Sequence, residues 1–158
     1  MDLVVLMGIS GSGKSRVADN YVQRGYFRVC MDELREWYTG HIGDQSQNSR
    51  VAEDAFTIVN YLLRKNKNVV WDATSVNEKT RKRLLDIAKE TKATSCLALL
   101  TDSNNLILCR DRVRKDIENG VNRANTLIDD SIMLRQYNSY ILAVDTIQSE
   151  LWNTIERY

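Results

Sequence analysis

Near the start of the chain, Gly8-Ile9-Ser10-Gly11-Ser12-Gly13-Lys14-Ser15 carries residue types that suit a phosphate chain. The run satisfies the pattern G-x-x-x-x-G-K-[ST] in full. Glycines allow backbone conformations closed to other residues and let N–H groups come close to phosphate oxygens. A helix that follows such a loop aims its positive N-terminus at the same anion. Lys14 can reach the β- and γ-phosphates, and the Ser15 hydroxyl can ligate Mg²⁺. Gly8, Ser10, Gly11, Ser12, Gly13, Lys14 and Ser15 are therefore the candidate nucleotide-binding residues, with Ser15 as the metal ligand. The chemistry expected is transfer of the γ-phosphate of a nucleoside triphosphate, with ATP as donor and Mg²⁺ as its counterion.

Three further clusters carry charge where chemistry could use it. In Met31-Asp32-Glu33-Leu34-Arg35 an acid and a base stand three residues apart, so Asp32 and Arg35 can share one helical face. The same residues also read as a helix start, with Asp32 as N-cap and Glu33 in the first turn. Trp71-Asp72-Ala73-Thr74-Ser75 places an acid where a phosphate site would use one, or where a turn would. Arg110-Asp111-Arg112-Val113-Arg114-Lys115 puts Arg110 and Arg114 on one helical face. An arginine held over a triphosphate neutralises charge that grows in the transition state. A solvated basic helix end is the competing reading, with Asp111, Asp116 and Glu118 as partners. Lys79, Arg81, Lys82 and Arg83 form a last basic run, which either tracks a phosphate backbone or is a solvated helix face.

Hydrophobic periodicity supplies the elements that would position these groups. Leu3–Met7 is a continuous apolar run, as in a strand buried on both faces of a parallel sheet. Further strands are expected at Tyr26–Cys30, Asn68–Asp72 and Ser95–Leu100, and helices at Ser15–Tyr21, Ser49–Lys65, Asn77–Glu90 and Asn104–Ile117. Asp102 or Ser103 suits the last as N-cap. A helix is expected to start near Asp129, and Ile141, Val144, Ile147, Leu151 and Ile155 keep a helical period to the end. A fifth strand around Tyr140–Val144 competes with that reading. Alternating strands and helices imply one α/β domain over residues 1–158, a parallel sheet of four or five strands with helices on both faces. A helical lid is expected over about 103–126 and C-terminal helices over about 127–158. Ligands of such sheets sit beyond the carboxyl ends of the strands, where the charged clusters fall.

Composition narrows the partners. The 158 residues are 43% apolar and 27% charged with a formal net charge of +1, so no global field points to a polyanion. Cys30, Cys96 and Cys109 lack paired metal-ligand spacing, and His41 is the sole histidine. The cysteines read as small buried groups in a reducing cytoplasm. No run of about 20 apolar residues suggests a membrane span, and the first strand opens too early to leave room for a targeting arm. There is no proline and no internal linker, hence no domain boundary.

Taken together, the motifs resemble the polynucleotide 5′-hydroxyl kinase branch of small P-loop kinases. The resemblance runs over roughly residues 3–137 and rests on the GxxxxGKS loop, D-E-L-R after the second strand, D-A-T-S-V-N after the third, R-x-x-x-R near the lid, and I-D-D-S-I-M-L-R-Q-Y in the last helix. It implies that Asp32 acts on the acceptor hydroxyl, that Arg35 contacts the acceptor phosphate and that Asp72 orients Arg35 and the acceptor. It also implies that Arg114 binds the donor phosphates beside Arg110. Lys14, Asp32 and Arg114 would then be catalytic. The acceptor would be a nucleic-acid 5′ end, and a separate end-healing phosphatase or ligase would be a partner. The chain departs from the family pattern at Thr74-Ser75 and Glu78, where asparagine and proline are frequent, and at Asp129, where the lid helix usually begins with proline. Two other readings stay open: a kinase of a different acceptor, and a nucleotide-binding switch that turns over slowly.

Overall fold

The computed structural model describes residues 1–100, 105–121, 123 and 130–158. Five strands form one sheet in the order β2-β3-β1-β4-β5. They are β1 (Asp2–Met7), β2 (Phe27–Cys30), β3 (Val69–Asp72), β4 (Thr94–Leu99) and β5 (Thr154–Arg157), and every pairing is parallel. Between them lie α1 (Lys14–Gln23), α2 (Met31–Thr39), α3 (Asn48–Arg64), α4 (Glu78–Thr91), α5 (Leu106–Glu118) and α6 (Asp130–Thr146). The expected α/β architecture with a parallel sheet and helices on both faces is what the chain adopts. Among the described residues no helix is long and apolar enough to cross a membrane.

The sheet is buried on both faces because β1 alternates between two cores. Leu3, Val5 and Met7 enter the larger one, with Ala55, Val59 and Leu63 of α3, Leu84 of α4 and Met133 and Tyr140 of α6. Val4 and Leu6 face the smaller one, against Ala18 and Tyr21 of α1. The i, i+4 spacing of Val51, Ala55, Val59 and Leu63 sets the buried stripe of α3. Cys30, Cys96 and Cys109 are buried and form no disulfide among the described residues.

The C-terminal part differs from the sequence expectation. The helical period does not run to residue 155: α6 ends at Thr146, a single 3-10 turn covers Ile147–Ser149, and Thr154–Arg157 becomes the edge strand beside β4. Tyr140–Val144 is helical, so the fifth strand stands further on than the competing reading placed it. The helix gives way because Glu150 and Asn153 have better partners. Glu150 accepts three N–H bonds from Arg81, and Asn153 binds the N–H and hydroxyl of Ser95. The cap of α5 is Asn105, which accepts from Ile107 N and Leu108 N; Asp102 and Ser103 lie outside the described residues. The start near Asp129 also lies outside them, as do parts of the expected lid.

Candidate active site

The phosphate-loop motif occupies the turn from β1 into α1. Gly11 and Gly13 have φ of +79° and +92°, the left-handed region that side chains disfavour. Gly11 is needed for a second reason: a Cβ there would stand 2.5 Å from the Cys109 carbonyl oxygen of α5. Arg112 of α5 donates to the Gly11 carbonyl at 3.2 Å, so the loop and that helix are built against each other. Gln136 of α6 holds the Ser10 N–H at 3.0 Å, and the Gly8 N–H is bonded to Thr74 O at 3.1 Å.

The loop chemistry fits a triphosphate. The Ser12 hydroxyl is buried without a partner among the described residues, and the first N–H groups of α1 lack i−4 carbonyls within their helix. Lys14 Nζ donates to Ile9 O at 2.8 Å, across the loop. Burial pushes the Lys14 ammonium below the ordinary lysine value, and the carboxylates of Asp72 and then Asp32 oppose that shift. Among the described residues no three His, Cys, Asp or Glu side chains gather as a metal cage. The Ser15 hydroxyl, in the first turn of α1, is an oxygen ligand of the kind Mg²⁺ takes beside water and phosphate oxygens.

Two clefts meet at this loop. One, of about 620 Å³, is lined by the loop, by Val17 and Asn20 of α1, and by Arg112, Arg123 and Tyr158. The other, of about 400 Å³, runs past Asp32, Arg35, Phe56, Trp71, Asp72 and Gln136. Lys14, Ser15 and Arg123 line both.

The second cleft gathers Asp32, Arg35 and Asp72, the three residues expected on the acceptor side. α2 begins at Met31, which puts Asp32 and Arg35 on adjacent turns of one face. Arg35 is 7% exposed and donates Nη1 to Asp32 Oδ1 at 2.6 Å and to Ile42 O at 2.9 Å, and Nε to Asn48 Oδ1 at 2.9 Å. Asp72 does not orient Arg35. It is 4% exposed and accepts from Arg28, whose Nε and Nη2 reach its Oδ2 at 3.0 and 2.6 Å. The parallel register of Cys30 with Asp72 brings the β2 side chain across to the carboxylate. Burial, and secondly Asp72, push the Cys30 thiol up to about 11, so it is no nucleophile at neutral pH.

Arg110 and Arg114 share a helical face, as their spacing requires, but neither lines the two clefts. Both approach Asp130 of α6, at 3.7 and 3.8 Å. The arginines at the loop are Arg112, two residues from each of them and so on the opposite side of α5, and Arg123, which is paired with Asp116. Burial works against the Arg123 charge, and the Asp32 carboxylate supports it. No periodicity marks Arg123 in its polar stretch. The basic run of α4 is also used differently. Arg81 is 1% exposed and ion-paired with Glu150 at 2.7 Å, Lys82 pairs with Glu78, and Arg83 approaches Glu53. Arg81 is thus withdrawn from any track for a phosphate backbone, while Lys82 and Arg83 stay exposed in surface pairs.

Among solved structures the fold recurs in chains of a Pnkp1/Rnl/Hen1 complex. One is 25% identical over 62% of this chain and 34% of its own, with a TM-score of 0.55. Another, from the Pnkp1/Rnl/Hen1 RNA repair complex, is 20% identical over 92% of this chain and 45% of its own, with a TM-score of 0.77. This chain therefore spans less than half the length of those proteins. A gluconokinase from Sinorhizobium meliloti 1021 shares the fold at 18% identity over 98% of this chain and 81% of its own, with a TM-score of 0.59. No curated protein matches the chain. A family model described as AAA domain matches residues 3–140, nearly the whole of the loop, sheet and helices just described. The chain belongs to this AAA domain family, and its domain is a P-loop domain of the kinase-like kind.

Proposed function

We propose that this chain transfers the γ-phosphate of ATP to a hydroxyl that neighbours a phosphate on the acceptor, as at the 5′-hydroxyl end of a polynucleotide. The observation that carries the reading is the meeting of a donor cleft and an acceptor cleft at Lys14, Ser15 and Arg123. A switch that only binds nucleotide has no use for the second cleft, nor for a carboxylate and a guanidinium held 2.6 Å apart inside it.

Asp32 is the base. Its Oδ1 is fixed by Arg35, and its side chain is half exposed to the cleft. The acceptor oxygen forms the bond to the γ-phosphorus and gives its proton to Asp32. The bond from that phosphorus to the bridging oxygen breaks, and ADP leaves with the electron pair. Lys14 and Arg123, standing on both clefts, neutralise the charge on the transferring group. In this reading Arg123 has the role that the resemblance would give Arg114. The Ser15 hydroxyl would hold Mg²⁺, which screens the phosphate oxygens when bound. Arg35 has Nε and Nη1 committed within the protein, which leaves Nη2 for the acceptor phosphate. The grip is thus one nitrogen wide, not the two-point fork expected from an unengaged arginine.

Likeness to chains of an RNA repair complex supports a nucleic-acid end as acceptor, and a separate end-healing phosphatase or ligase as partner. Buried cysteines outside any disulfide among the described residues suit a reducing cytoplasm. Labelled ATP offered with a 5′-hydroxyl oligonucleotide, a nucleoside, gluconate and no acceptor tests the proposal. Label on the oligonucleotide is expected. Label only on a small molecule, or only release of phosphate, would overturn it.

A further inference from the structure

One wall of the acceptor cleft is the turn from β3 into α4, where Thr74, Ser75, Asn77 and Thr80 line it. This turn is not relaxed backbone. Ser75 is 4% exposed and has φ of +51°, in the left-handed region that side chains disfavour. Such a conformation persists only where the surroundings hold it. Two backbone carbonyls of the turn are held, one from each side. Thr74 O accepts the Gly8 N–H of the phosphate loop at 3.1 Å. Ser75 O accepts Nη1 of Arg81 at 2.9 Å.

Arg81 is held in turn. It is 1% exposed and engages every nitrogen of its guanidinium. Besides the bond to Ser75, Nε donates to both oxygens of Glu150 at 3.0 Å and Nη2 to Oε1 at 2.7 Å. Trp152 Nε1 donates to Glu150 Oε2 at 2.8 Å, which fixes the carboxylate as well. Asn153 ties the same segment to Ser95 at the start of β4. The acceptor wall is thus braced against a segment 69 residues further along the chain. Burial of α4 does not require this brace, because Leu84, Ile87 and Ala88 already seat the helix in the core. A buried ion pair adds little net stability over apolar side chains of similar volume. What Arg81 supplies, and an apolar residue could not, is an N–H directed at the Ser75 carbonyl.

We infer that Arg81 and Glu150 are positioning residues for the acceptor: from behind the cleft, they hold the Thr74–Asn77 turn in the backbone conformation that shapes the acceptor wall. Neither lines either cleft, so both act through the turn. The inference rests on the phosphotransfer reading and adds the device that sets the geometry of its acceptor side. Ser75, Asn77 and Thr80 line the acceptor cleft and not the donor cleft. Loss of the brace should therefore weaken use of the acceptor and spare the binding of ATP. A small misplacement of a substrate is costly in rate, which gives a distant pair its leverage.

Two variants test it. Arg81→Met combined with Glu150→Leu replaces the pair by apolar side chains, a change that buried ion pairs commonly tolerate. Glu150→Gln leaves an oxygen for Arg81 and removes only the charge, and it carries the comparison if the double variant does not fold. Each is measured for hydrogen exchange over residues 73–77, for ATP affinity by calorimetry, and for KM and kcat with a 5′-hydroxyl oligonucleotide. Faster exchange in the turn is expected, with KM for the oligonucleotide raised at least about tenfold and ATP affinity kept within about twofold. A folded variant with unchanged exchange or unchanged oligonucleotide KM would overturn the inference, since the pair would then be structural only. An ATP affinity that falls as far as the oligonucleotide KM rises would overturn it too, as a general loosening of the site. If the wild-type protein transfers nothing to the oligonucleotide, the phosphotransfer reading fails first and takes the inference with it. A working wild type beside an unaltered variant fails the inference alone.

Discussion

Arg28 directs two N–H groups at a single oxygen of Asp72, Nε at 3.0 Å and Nη2 at 2.6 Å. The pair joins the edge strand β2 to the end of β3, under the floor of the acceptor cleft. It separates Asp72 from Arg35, two residues that motif order alone would put together. Removing Arg28 would leave a carboxylate that is 4% exposed without its cation. Loss of one partner of a buried pair typically costs about 3 kcal/mol or more. Arg28→Met should therefore lower stability by roughly that amount in urea unfolding. Because Arg28 has 24% of its side chain exposed and also faces Asp19 and Glu33, a smaller loss is the lower bound to look for. No change at all would show that the pair contributes nothing.

Lys14 is expected to trade stability for function. Burial holds its ammonium below the ordinary lysine value, so the charged form is disfavoured by folding. The sign follows from linkage. With the folded value below the unfolded one, the penalty is fully present at pH below the folded value and fades as pH rises towards the ordinary value. At neutral pH Lys14→Met should raise Tm and still lower phosphotransfer by about 10²-fold or more, as loss of a main electrostatic group does. Calorimetric melting and a labelled-ATP assay on one preparation read both effects.

The arginines of the α5 region should behave unequally. Arg123 lines both clefts, whereas Arg110 and Arg114 approach Asp130. Arg123→Ala should lower kcat by about 10³-fold, the scale of a transition-state arginine, and Arg114→Ala by far less. Steady-state kinetics of the two variants give the comparison, and the reverse order would restore the role to Arg114.

Asp32 and Arg35 touch at 2.6 Å, yet their variants should separate. Asp32→Asn should lower kcat for every acceptor alike with ATP binding kept. Arg35→Ala should remove most of the preference for a 3′-phosphorylated nucleoside over the bare nucleoside. A charge-assisted hydrogen bond to phosphate contributes about 1.5–3 kcal/mol, which is roughly 10- to 150-fold in kcat/KM. Identical effects of Arg35→Ala on both acceptors would remove the acceptor phosphate from the proposal.

Gly11→Ala should cost nucleotide affinity and stability together. The added methyl would need a left-handed backbone and would press on the Cys109 carbonyl. About 1–3 kcal/mol of strain is expected, visible as a lower Tm and a weaker ATP titration.

The parts of this protein that could be read from sequence are those specified locally. β1, β3 and β4 announce themselves as apolar runs, and Gly8–Ser15 is specific by its glycines and lysine. What escaped depends on partners far along the chain. Arg81 belongs to a basic run that looks solvated, and it is buried because Glu150 returns to it 69 residues later. Arg28 pairs across 44 residues. β5 is short and mostly exposed, and Leu151 and Ile155 fall by chance on the helical phase of α6. Arg123 has no pattern around it, and only its placement between two clefts marks it.

The close seat of Gly11 against Cys109 means that the phosphate loop is not a portable part. One side of its mould is the backbone of a helix that begins almost a hundred residues later. Gln136, further on again, holds another of its N–H groups. A peptide copied from residues 2–23 would contain every letter of the motif, with the strand before it and the helix after it. It would still lack the walls that give those letters their shape. A phosphate meeting that peptide would find a flexible chain with one lysine. Nucleotide affinity in this protein is thus a reading of the whole fold's integrity, and disruption at α5 or α6 should be felt first at the loop.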